Sequence, residues 1–171
     1  MALKLSTGLV NATMAEKSFK AALEGTGAAG FFIDIYSGAR PASPNDAATG
    51  TKLARITAAA GARLHFAAAA VDGVIAKAAA ETWQATGLAN GAAGYFRVVT
   101  DADAGDTSST TAIRVDGVIA VSGSDMDMTN TFRAQARALK KKFDRHVTPD
   151  GYFVSRQYHR RHGFFPNLRE P

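Results

Sequence analysis

The sequence predicts an all-β fold, a β-sandwich or jelly roll, with a short N-terminal helix and a basic, partly helical C-terminal arm. Three observations predict it. Residues 94–121 hold two runs rich in aromatic and β-branched residues, Gly94-Tyr95-Phe96-Arg97-Val98-Val99 and Ala112-Ile113-Arg114-Val115-Asp116-Gly117-Val118-Ile119-Ala120-Val121. The loop between them carries no apolar side chain larger than alanine, so the stretch reads as two strands of a long hairpin. The chain before it repeats that design in short strands with turn signals between them, rather than as alternating βαβ units. At Asn130 the composition breaks: residues 1–130 carry 10 Lys/Arg against 12 Asp/Glu, and residues 131–171 carry 10 against 3. The net charge of +5 thus belongs to the last quarter, and the chain divides into a core over 1–130 and an arm over 131–171.

Residues 5–24 read as a helix, capped by Ser6 or Thr7 and stopped at Gly25. Gly25-Thr26-Gly27-Ala28-Ala29-Gly30 spells the glycine pattern of a dinucleotide-binding turn. That turn must follow a strand and open a helix, whose N-terminus holds the phosphates; here the order is reversed, so the segment reads as a linker. Strands follow at 31–36 and 52–57, with a turn-rich loop at 37–46. Arg63-Leu64-His65-Phe66 is a short alternating piece, and residues 82–87 form a further strand with the only tryptophan, Trp83. Val71-Asp72-Gly73-Val74-Ile75-Ala76 recurs at 115–120. Asp-Gly between β-branched residues signals a tight hairpin turn in both copies. The repeat marks either equivalent corners of two sheets or one useful turn that arose twice. Beyond Thr129 or Asn130 a helix is predicted from Thr131 to about His146, with Phe132, Ala136, Leu139 and Phe143 on one face.

Alanine supplies much of the 46% hydrophobic fraction, so the core must rest on the fewer large apolar positions. There is no cysteine, which excludes disulfides and thiolate metal sites. No apolar run approaches the ~20 residues that span a bilayer, and the first residues do not read as a secretory signal. A soluble protein or assembly component without membrane contact is the expectation.

No catalytic centre is legible. Asp101-Ala102-Asp103-Ala104-Gly105-Asp106 opens like a calcium loop, but the position that should supply a bidentate Glu is Ala112, so it reads as an acidic hairpin loop. His159 and His162 have the spacing of zinc ligands, but Arg160 and Arg161 between them repel a cation. His65, between Leu64 and Phe66, reads as a strand-surface or satisfied core histidine. Ser122-Gly123-Ser124 lacks the glycines of a nucleophile elbow. Glu16, Glu24, Asp34 and Glu81 are scattered, without a pattern for paired-carboxylate catalysis. The expectation is no enzyme, no cofactor and no metal.

The basic segment is the strongest functional signal. Arg133, Arg137, Lys140, Lys141, Lys142, Arg156, Arg160 and Arg161 are interleaved with Phe143, Tyr152, Phe153 and Phe164. Such a pattern suits an acidic protein surface, where charge steers docking and aromatics anchor it. It also suits a nucleic-acid backbone, though no base-reading motif accompanies it, and equally a solvated helix packed on its own domain by Phe132, Leu139 and Phe143.

Three segments carry a resemblance. They are Leu3-Lys4-Leu5-Ser6-Thr7-Gly8-Leu9; Ile33-Asp34-Ile35-Tyr36-Ser37-Gly38 with Pro41-Ala42-Ser43 and Asp46-Ala47-Ala48; and Gly94-Tyr95-Phe96-Arg97-Val98-Val99 with Ser122-Gly123-Ser124-Asp125-Met126. In this order and spacing they resemble a family of small structural proteins of tailed-bacteriophage virions, over residues 3–130. The resemblance implies a β-sandwich without enzyme activity, located in the virion. It implies a capsid decoration or cement subunit, homo-oligomeric and bound to the major capsid protein or other virion subunits. A head–tail junction component and a nucleic-acid-binding protein acting through the arm are the alternatives. The family pattern continues with another strand after the Ser-Gly-Ser-Asp-Met region, whereas this chain runs into its basic segment.

Overall fold

A computed structural model describes residues 3–15, 17–25, 29–100 and 103–128. They are mostly β, built on a seven-stranded, largely antiparallel sheet with two short helices. The strands are β1 (Lys4–Leu5), β2 (Phe31–Ser37), β3 (Lys52–Thr57), β4 (Gln84–Gly87), β5 (Ala93–Thr100), β6 (Arg114–Ala120) and β7 (Met126–Asp127). Their order is β1-β6-β5-β2-β3-β4, and β7 adds to β6 in parallel, with Ile119 opposite Met126. Among the described residues the strands belong to this one sheet, so a mostly β fold is present and a second facing sheet is not part of it.

The long central strands are where the β-branched and aromatic residues lie, as their fit to a pleated surface requires. Strict alternation then sorts the side chains by face. Ile33 lies between Ile56 and Val98, and Ile35 between Ala54 and Phe96. With Phe31, Val115 and Ile119 they form the apolar face, on which Leu9 and Leu23 of the helices and Leu64 also pack. Phe31 anchors one end, its ring 4.7 Å from Phe66 and 5.9 Å from Trp83.

The predicted helix over 5–24 is two helices, α1 (Thr7–Ala15) and α2 (Phe19–Glu24). Its cap and stop are where expected: the Ser6 hydroxyl accepts from the Leu9 N–H at 3.2 Å, and Gly25 ends α2 at φ 71°. The break comes from Ser18, whose hydroxyl accepts from the Ala21 N–H and starts a new helix. Leu5 is not helical but pairs with Val115 as part of β1. Among the described residues, no helix is long and apolar enough to cross a membrane.

The repeated hexapeptide takes two conformations. Around Asp72-Gly73 the chain turns tightly, with φ of 50° and 76° and reciprocal Val71–Val74 backbone bonds of 2.9 Å. Asp116-Gly117, also expected to turn, instead runs straight through β6. Two neighbours decide this: Arg97 holds the Asp116 carboxylate, and the Phe96 ring lies over Gly117. A Cβ there would fall 2.4 Å from that ring, so only glycine accepts the approach. The two copies are therefore not equivalent corners.

Candidate functional site

The second face of the sheet is charged, yet largely buried. Register places Arg55 opposite Asp34, Asp34 opposite Arg97, and Arg97 opposite Asp116. Lys4 of β1 stands opposite Asp116 in turn, so five strands carry one row of alternating charge. Arg55 donates to both Asp34 oxygens at 2.6 and 2.8 Å, and Lys52 Nζ adds a third contact at 2.8 Å. Arg97 grips Asp116 through Nε and Nη2 at 2.8 and 2.7 Å. Its Nη1 donates to the carbonyls of Asp46 and Gly105.

Beside this row, Arg114 pairs with Asp103 at 2.5 and 2.7 Å and donates to the carbonyls of Pro44 and Asp46. The β2–β3 and β5–β6 connections thus close over the charged face. Asp34, Arg97, Arg114 and Asp116 have no solvent exposure. Tyr36 and Tyr95 stack beneath the same cover, ring centres 5.1 Å apart. Burial pushes both phenols above their ordinary range. Burial alone would also raise Asp103, but the bonds from Arg114 and the Gly105 N–H, with the nearby Arg114 and Arg97 charges, hold its carboxyl below the usual range.

Each carboxylate of this row is taken up by a guanidinium in bidentate geometry, the strong form of the interaction. The arrangement fixes strand register and ties down two loops. Asp103 of the predicted acidic loop is one of its members, so that loop serves as a lid anchored to Arg114. Asp101 and Ala102 lie outside the described residues.

The other sequence candidates are dispersed. Glu81 accepts from the His65 N–H at 3.0 Å and from Trp83 Nε1 at 2.8 Å, and lies 2.6 Å from His65 Nδ1. Burial would raise the Glu81 carboxyl, but these bonds outweigh it and lower it. His65 is thus a partnered histidine at the base of the 65–78 hairpin. Glu24 accepts from the Phe66 N–H at 2.6 Å and pairs with Lys20. Ser124 Oγ donates to the Met126 carbonyl and accepts from the Ala120 N–H, a turn role. Among the described residues no three His, Cys, Asp or Glu side chains could hold a metal together. The glycine segment follows α2 and precedes β2, so its order is that of a linker, with residues 26–28 outside the described residues.

Arg133, Arg137, Lys140, Lys141, Lys142, Phe143, Tyr152, Phe153, Arg156, Arg160, Arg161 and Phe164, with His159, His162 and Glu16, also lie outside them.

One surface lies apart from the core. Residues 68–74 are all exposed, with Val71 at 69% and Val74 at 67%. All four residues of β4 are exposed as well, followed by Leu88 at 58%. The Trp83–Phe66 contact, 6.4 Å between rings, holds the hairpin base beside the start of β4.

Comparison with protein-family models, with curated proteins and with solved structures finds no match to this chain.

Proposed function

We propose that this chain is a non-enzymatic structural subunit of a tailed-phage virion, a capsid decoration or cement protein that stabilises the shell by binding neighbouring capsid subunits. The three ordered sequence segments support the virion part of the reading. The observation that supports assembly is the exposed hairpin at 68–74, whose valines the domain's own core leaves in water. Apolar side chains presented on a narrow turn suit burial between subunits. In this reading the basic segment docks on an acidic face of a shell subunit, with Phe143, Tyr152, Phe153 and Phe164 as anchors. The jelly-roll arrangement belongs to the same proposal, with a neighbouring subunit supplying a further strand.

Particle incorporation tests it. Val71→Ser with Val74→Ser, and separately removal of residues 131–171, should abolish incorporation while the soluble protein still melts cooperatively. Normal incorporation of both would contradict the docking account. Salt-sensitive DNA affinity that vanishes with residues 131–171 would favour nucleic-acid binding instead.

A further inference from the structure

Among the described residues β4 ends the sheet, and its outer edge has a defined chemistry. Gln84 and Thr86 stand opposite Thr57 and Arg55, and the Leu88 N–H donates to the Leu53 carbonyl at 2.8 Å. Antiparallel strands alternate their bonding sides, so residues 84, 86 and 88 spend their backbone groups on β3. Ala85 and Gly87 point theirs the other way, and those groups have no hydrogen-bond partner among the described residues. Edge strands are commonly protected by lysine, proline or a bulge. Gln84-Ala85-Thr86-Gly87-Leu88 has no charge and no proline, and its register with β3 is unbroken.

We propose that two copies of this chain pair antiparallel through β4, about a two-fold axis that sets Thr86 opposite Thr86 of the second copy. This register places Ala85 opposite Gly87 of the second copy, and the reverse. Both are hydrogen-bonded pairs, so four backbone bonds close the edge. It keeps faces matched: Ala85 and Gly87 share the side of Ile56 and Ala54, and Thr86 shares that of Arg55. The occupant follows from symmetry and charge. The outward groups flank Thr86 evenly, the facing residues are small, and a neutral edge raises no repulsion against its own copy. Leu88, exposed in one copy, comes opposite Gln84 of the other and loses water contact. The pairing stands apart from the virion reading, because it is measured on purified protein without particles.

The test is sedimentation equilibrium of the full chain as wild type, Ala85→Pro and Thr86→Lys. Ala85→Pro removes an outward N–H without touching a β3 bond, and Thr86→Lys sets like charges across the axis. The wild type should form a concentration-dependent dimer. Each variant should weaken it roughly tenfold or more while its own melting curve is kept. In the wild type, Ala85 and Gly87 amide exchange should slow as concentration rises. A monomer at every concentration, or equal association by all three proteins, would overturn the proposal.

Discussion

Arg97 and Asp116 stand opposite each other on β5 and β6, joined by two side-chain hydrogen bonds of 2.8 and 2.7 Å, and neither reaches solvent. A buried pair of this kind is costly to break and far cheaper to replace as a whole, since removal of one partner strands a charge. Asp116→Leu should cost about 3–5 kcal/mol. Arg97→Met should cost at least as much, because it also removes one of the two donors to each of the Asp46 and Gly105 carbonyls, leaving Arg114 Nη1 and the Ala48 N–H. The double variant should be much more stable than the sum of the singles. Urea denaturation of the four proteins measures the coupling; simple additivity would mean the pair is not a unit.

Acid should loosen the lid over this face through Asp103. Its carboxyl is held below the usual range in the fold, so the unfolded chain takes up the proton first as pH falls. The stabilisation is therefore complete above the unfolded value of about 4 and is lost as pH falls through the lower folded value. Asp103→Asn should lower stability at pH 7 and flatten the acid limb of a melting-temperature profile. An unchanged profile would remove Asp103 from that role.

The two identical hexapeptides should respond differently to the same substitution. Gly117→Ala forces a Cβ against the Phe96 ring and Leu3, at about 1–3 kcal/mol, and Phe96→Leu in the same chain should recover part of the loss. Gly73→Ala meets open space, so only the strain of its left-handed backbone remains, about 1–2 kcal/mol, and Phe96→Leu should not relieve it. Thermal denaturation of the four variants checks this contrast.

Much of the fold was legible because long strands announce themselves. Residues 31–36 and 94–99 are legible from β-branched and aromatic content and 52–57 from its alternation, and β2, β3 and β5 cover them. Ser6 and Gly25 were legible as cap and stop because their roles are local. The Asp116-Gly117 turn failed because tertiary partners, Arg97 and Phe96, outweigh local turn preference. The two-residue strands β1 and β7 are set by pairing with β6 and have no periodicity to read. The charged row left a trace that composition alone hides: Asp34 and Arg97 each sit alone within an apolar strand, and Asp116 shares β6 with Arg114 alone. A single charge there implies a cross-strand partner, but the register that matches them is not written locally.

Copy number in purified particles tests the central proposal most directly. Quantitative mass spectrometry should find this protein at a ratio of about one to the major shell subunit, as a subunit that repeats with the shell lattice requires. A ratio far below one would place it at the neck or tail instead of on the shell. Its absence from particles would contradict the virion account altogether.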